Sequence, residues 1–262
     1  MLDDEKGLIF HGGIEMISSE RRMYIMNQLS NKGVVNLKEI ARELNISEIT
    51  VRRDFEKLEQ AGKLKRVQGG AALENVLDNA ELTMKEKQTL HAREKAAVAN
   101  YVAGFVKDGD CIFIDGGTSM IPVVAGLHNM KVNIVTYNDL AIRSLINSTA
   151  SIIVIGGLYL PHYGMNVGSM AQEQLKQFHF NIGFFGCAGI DVSTGYSYTT
   201  DMESLLIKKI AMENCRYKVL LIDSSKMNQR SFLKFEELSA FDKIVCNDTG
   251  DTGILLGNLE LV

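Results

Sequence analysis

The stretch VNLKEIARELNISEITVRRD, from Val35 to Asp54, limits what this chain can be more than any other feature. Apolar residues fall at Leu37, Ile40, Ala41 and Leu44, and again at Ile49, Val51 and Phe55, the spacing of two short amphipathic helices. Asn36 and Ser47 stand where side-chain caps are needed, and Asn45-Ile46 form the turn between the helices. With Ile49, Phe55 and Leu58 turned inward, Glu48, Thr50, Arg52 and Arg53 lie on the outer face of a recognition helix from Ser47 to Gln60. Such a face fits a DNA major groove.

Two amphipathic helices are also ordinary packing units, and an Arg-Arg pair is often only a solvated face. The residues that follow favour nucleic acid. Leu64 to Gly70, LKRVQGG, is a short basic strand running into a Gly-Gly turn, which makes the unit a winged helix. Lys63, Lys65 and Arg66 supply charge for phosphate, and Gly69 and Gly70 let backbone approach it. The charge balance agrees: residues 18 to 70 hold 11 Lys and Arg against 7 Asp and Glu, leaving 17 against 25 elsewhere. The candidate DNA-contacting set is therefore Asn36, Ser47, Glu48, Thr50, Arg52, Arg53, Lys65, Arg66, Gly69 and Gly70.

The run from Glu20-Arg21-Arg22 through ISEITVRRDFEKLEQAGKLKRVQGGA resembles the DeoR-type winged helix-turn-helix of bacterial sugar-catabolism repressors. The likeness rests on S-x-x-T-[IV]-R-R-D-L followed by L-x-R-x-x-G-G-A, with Phe55 here in place of Leu. It implies a domain over residues 18–73 that binds double-stranded operator DNA. Residues 1–17 show no period, are net acidic, and are expected to be a loose tail. Because Met16 directly precedes Ser18-Ser19-Glu20-Arg21-Arg22, a start at Met16 would match the family. Residues 74–92 lose periodicity and gain charge, as expected of a linker.

From Arg93 the pattern alternates. Helices are expected over Arg93–Val106, Thr118–Leu127, Asp139–Asn147, Ser169–Phe178 (capped by Ser169) and from Asp201 to Asn214. Between them lie apolar strands at Cys111–Asp115, Val132–Tyr137, Ser151–Ile155, Ile182–Cys187, Tyr217–Asp223 and Lys243–Asn247, the last of the core. Continuous apolar strands between amphipathic helices predict a doubly wound, mainly parallel α/β domain over residues 93–262.

In such sheets ligands bind outside the carboxyl ends of the strands. That rule selects Asp115-Gly116-Gly117-Thr118-Ser119, where glycines and hydroxyls at a helix start suit a phosphate. It also selects Tyr137 and Asn138, Gly156 and Gly157, Gly189 in the GCAGID loop, and Lys226 after Asp223-Ser224-Ser225. These loops resemble, in order and spacing, the C-terminal sensor domain of the same family, whose fold is similar to ribose-5-phosphate isomerase. The resemblance implies a phosphorylated sugar or sugar-derivative effector. Tyr137 stands where the family commonly has Thr, Ala188 where it has an acid, and Pro161 to Asn166 lacks a frequent arginine.

Cys111, Cys187, Cys215 and Cys246 are far apart and read as buried thiols of a reducing cytosol. Neither they nor the five histidines show ligand spacing, so no metal and no cofactor is expected. No apolar run of ~18 residues exists, and the chain is expected to be cytoplasmic, without a membrane partner. One short recognition helix reads too few bases for genomic specificity, so a homo-oligomer, dimer or tetramer, is expected on paired half-sites. The competing reading is an isomerase or deaminase of sugar phosphates using Asp115, Asp191 or Asp223 as proton carrier. Fold likeness does not supply turnover, and no catalytic residue is assigned. Repressor and activator share this architecture, since operator position sets the sign.

Overall fold

In a computed structural model of the chain, residues 17–32, 34–67, 69–73, 84–145, 148–248 and 256–262 are described. The tail over residues 1–16 and the linker stretch over 74–83 lie outside the described residues.

The N-terminal unit builds three helices, α1 (Ser18–Lys32), α2 (Leu37–Glu43) and α3 (Glu48–Gln60), against a small antiparallel sheet. Its strands β1 (Val34–Asn36), β2 (Lys65–Val67) and β3 (Gly70–Ala72) are ordered β1-β3-β2. Asn36 caps α2 by accepting from the Lys38 and Glu39 amides, and Ser47 caps α3 by accepting from Thr50. Asn45 takes a left-handed conformation at the turn, one that asparagine tolerates better than most residues. Ile25, Leu29, Ile40, Val51, Phe55 and Leu58 close a core of their own.

Ile49 departs from expectation. Its side chain is 67% exposed, and the buried face of α3 is instead Val51, Asp54, Phe55 and Leu58. Two residues along a helix turn through about 200°, so Ile49 must oppose Val51 and share the outer face with Arg52 and Arg53. Asp54 points inward because Arg21 of α1 meets it, Nε to carboxylate at 2.8 Å.

The second unit starts with a short helix α4 (Met84–Thr89) and α5 (Ala92–Ala103). A seven-stranded parallel sheet follows, formed by β4 (Cys111–Ile114), β5 (Asn133–Thr136), β6 (Ser151–Val154), β9 (Phe180–Gly186), β12 (Cys215–Ile222), β14 (Lys243–Cys246) and β15 (Leu259–Leu261). Their order is β15-β14-β12-β9-β4-β5-β6. Helices α6 (Met120–Gly126) and α7 (Asp139–Arg143) follow β4 and β5, while α8 (Ser169–Leu175) and α9 (Met202–Glu213) belong to the other half. Successive strand residues serve opposite faces. Ile112, Ile114, Phe184 and Leu221 join one hydrophobic cluster with α5 and α6, whereas Phe113, Phe185, Leu220 and Ile222 join the other with α8 and α9.

Lys243–Cys246 is the last strand to bury core residues, and β15 pairs beyond it in parallel as a partly exposed edge. Antiparallel additions flank the sheet: β7 (Leu158–Leu160) with β8 (Met165–Val167), and β10 (Gly189–Asp191) with β11 (Tyr196–Thr199) and β13 (Leu233–Glu237). Asp201 caps α9 as expected, accepting from the Ser204 amide at 2.7 Å. Ser169 does not cap α8; Gly168, at φ 89°, occupies that place without a side-chain bond. Among the described residues no helix is long and apolar enough to cross a membrane.

Candidate functional site

On the N-terminal unit the inward stripe of α3 leaves Glu48, Ile49, Arg52 and Arg53 exposed along one face. Arg52 and Arg53 make no ion pair among the described residues, so both guanidinium groups are available to a polyanion. Thr50 is half-buried and its hydroxyl lies 2.9 Å from that of Ser47, which ties the cap together. Arg66 behaves differently. Its side chain pairs with Glu59 at 2.6 Å and Glu56 at 2.9 Å, both on α3, so a phosphate would have to compete for it. Lys65 sits beside it on β2, half-buried.

The two glycines of the wing serve different ends. Gly69 has φ +83° with open space around it, a turn position that disfavours a side chain on backbone grounds. At Gly70 a Cβ would stand 2.1 Å from the Val35 carbonyl oxygen, so the residue is required for β1 and β3 to meet. Gly70 is thus buried in the wing sheet and is not positioned at a phosphate surface.

In the second unit a cavity of about 400 Å³ opens at the carboxyl ends of β4, β9 and β12. Gly117, Thr118, Ser119 and Lys226 line it, as the strand-end rule anticipates. Asp115, Gly116, Tyr137, Asn138, Gly156, Gly157 and Gly189 do not.

Asp115 is fully buried and its oxygens are occupied. It accepts from the Tyr137 hydroxyl at 2.5 Å, from the Gly116 and Gly186 amides at 2.7 and 2.8 Å, and pairs with Lys208 Nζ at 2.8 Å. Burial, and then the Asp115 charge, push the Tyr137 hydroxyl well above its ordinary value, so it donates to that carboxylate and stays protonated. Asn138 donates to the Asp115 and Gly117 carbonyls and accepts from Ala141, which caps α7. These three residues brace the Gly116–Ser119 loop from behind. Gly116 has no room for a side chain, since a Cβ would meet Met165 at 2.5 Å and the Tyr137 hydroxyl at 2.9 Å.

Gly156 and Gly157 lie past β6 beside α8, where Gln174 bonds Gly156 through both its amide and its carbonyl. A Cβ on Gly157 would approach the Val167 carbonyl to 2.4 Å, and one on Gly189 the Gln229 carbonyl to the same distance. Both are close-packing positions.

Several cavity residues were missing from the sequence reading. Lys87 and His91 come from α4 and the bend after it, Lys95 from α5, and Lys208 from α9. Lys208 donates to the Gly186 carbonyl at 2.7 Å as well as to Asp115. A signal for two of them was present: Lys95 is in phase with buried Val98, Ala99 and Val102, and Lys208 with Ser204, Ile207 and Ala211. A lysine in an apolar stripe is a buried charge seeking a partner. Desolvation lowers Lys87 to about 8, with Lys226 and Lys95 adding repulsion. Burial pushes the Cys187 thiol, at the same cavity, up to about 12.

A family model described as the DeoR-like helix-turn-helix domain matches residues 21–76, and one described as the DeoR C terminal sensor domain matches residues 90–248. The lactose phosphotransferase system repressor of Lactococcus lactis subsp. lactis is 33% identical over 88% of this chain and 92% of that protein. The uncharacterized HTH-type transcriptional regulator FruR of Bacillus subtilis (strain 168) is 31% identical over 84% of this chain and 87% of its own length. Among solved structures, ribose 5-phosphate isomerase A from Methanocaldococcus jannaschii aligns with 51% of this chain and 53% of that one, at TM-score 0.38 and 19% identity. A winged head with an exposed arginine face and an α/β unit matching the sensor model thus occur in one chain, which belongs to the DeoR family of DNA-binding transcriptional regulators.

Proposed function

We propose that this regulator represses sugar-catabolism genes and releases its operator when a phosphorylated sugar fills the cavity at the carboxyl ends of β4, β9 and β12. It is organised as a DNA-binding head over 18–73, a linker over 74–92 and a sensor over 93–262, and works as a homo-oligomer on paired half-sites. The observation that carries this reading is the make-up of the cavity: Lys87, Lys95 and Lys226 line it together with Thr118, Ser119, Asp201 and Asp223. Cations and hydroxyls suit a phosphate, and carboxylates suit sugar hydroxyls. Relatives that carry the name lactose phosphotransferase system repressor support the sugar link.

The carboxylates once open to catalysis are engaged in holding the fold. Asp115 is saturated by four donors, Asp191 pairs with Arg230 and accepts from Ser193, and Asp223 accepts from Ser225. A carboxylate so held is a poor proton carrier, which favours binding without turnover.

The test is a titration of operator binding against a panel of phosphorylated and unphosphorylated sugars, on wild type and on Lys226→Gln. A phosphorylated sugar should shift the wild-type curve by about 5- to 150-fold and leave the variant unmoved. No shift with any phosphorylated compound, or an equal shift in both proteins, would refute the reading. Turnover of a sugar phosphate by the pure protein would replace it with the enzymatic one.

A further inference from the structure

Helix α4 is an insecure element. It is six residues long, far below the length at which a helix stands alone, and Met84 anchors it in the hydrophobic core. It joins α5 through His91, a non-glycine residue held in the left-handed region at φ 52° and ψ 39°. Its C-terminal end is held by one buried ammonium: Lys95 Nζ donates to the Lys87 and Leu90 carbonyls, each at 2.6 Å. Lys87 itself makes no ion pair among the described residues, and Lys226 makes none either. Both side chains line the cavity together with Lys95. The charges of Lys226 and Lys95 bear unfavourably on the Lys87 ammonium, while Asp223 offsets part of the repulsion at Lys95.

We propose that Lys87 is a ligand of the anion that fills the cavity, and that the anion fastens α4, and with it the end of the linker, onto the sensor. The inference rests on the cavity being the effector site and adds the element through which occupancy leaves that site. A phosphate dianion among Lys87, Lys95 and Lys226 turns mutual repulsion into attraction toward one centre. Of the three lysines, Lys87 alone is carried by the segment that continues toward the DNA-binding head, while Lys95 and Lys226 belong to α5 and to the turn after β12. Its contact with the anion is the one that the linker experiences.

Inorganic phosphate is the probe, titrated into the full-length protein at constant ionic strength with sulfate-free buffer. Hydrogen exchange at the amides of residues 84–90 is read together with affinity. Wild type should bind phosphate and gain protection over 84–90. Lys87→Gln should bind it about tenfold more weakly, the loss of one charge-assisted bond, and gain no protection there. Lys87→Arg should recover most of both, which a purely structural role in α4 would not require. Phosphate that is weakened by Lys226→Gln but bound equally by Lys87→Gln would overturn the role of Lys87 and leave the cavity reading standing. Equal protection of 84–90 in wild type and Lys87→Gln would likewise overturn it. Failure of wild type to bind phosphate in the cavity would overturn the cavity reading and this inference with it.

Discussion

The winged head and the strand-end cavity use charge in opposite ways. On α3 the arginines that matter stand in solvent, fixed by a helix whose other side is packed, and the protein asks nothing of them for its own stability. Behind the cavity the polar groups are buried, and Asp115, Lys208, Tyr137 and Asn138 have already found one another. A face offered to a large polyanion is best kept solvated and unpaired, because the partner brings its own charge. A cavity for a small ligand must be held open before the ligand arrives, and buried polar groups do this only when their bonds are satisfied. Substitution should therefore separate the two regions: damage at the head ought to remove function without unfolding, and damage behind the cavity ought to do the reverse.

The largest effect is expected from Asp115→Ala, which leaves Lys208 buried without its carboxylate. Loss of about 3–5 kcal/mol from the sensor unit is expected in urea denaturation. A loss below about 1 kcal/mol would mean that the cavity floor is not the rigid region described here. Next comes Gly70→Ala, whose new methyl group would strike the Val35 carbonyl. Overpacking of this kind costs about 1–3 kcal/mol, confined to the head. Differential melting of the two units would locate it.

Arg52→Ala and Arg53→Ala invert the pattern. Each should weaken operator binding by about 1–3 kcal/mol if it reads a base, while changing stability by less than about 0.5 kcal/mol. A stability loss matching the affinity loss would break the contrast between the regions. A further effect is in pH. Burial together with Lys226 and Lys95 holds Lys87 near 8, below its ordinary 10.5, so the unfolded chain binds more protons between those values. Stability must then rise as pH climbs from about 8 to 10.5. Melting of wild type against Lys87→Gln across that window should show the rise in the former and a flatter profile in the latter.

The same contrast explains what could be read in advance. Positions on α3 follow from one local period, and Val51, Phe55 and Leu58 fell where that period puts them; Ile49 was misplaced because its apolar character outweighed its phase. The buried strands of the sheet announced themselves as apolar runs, except β15, which is three residues long and supplies an edge. The cavity is harder. Asp115 meets Tyr137, Gly186 and Lys208, residues from separate elements that no local pattern brings together, so its bracing bonds are not legible in the sequence. Gly117, Thr118, Ser119 and Lys226 line the cavity because they sit at strand ends, where topology alone selects them.

The inward turn of Asp54 has a practical consequence. Arg52-Arg53-Asp54 reads as one polar triplet, but its third member is locked to Arg21 of α1 and fixes the roll of the helix about its own axis. Orientation is thus encoded separately from the surface it presents. Residues transplanted to Glu48, Ile49, Arg52 and Arg53 from a relative would be presented at the same roll of the helix, provided that Val51, Asp54, Phe55 and Leu58 stay. New operator preferences could be installed in this scaffold four side chains at a time, without redesigning anything beneath them.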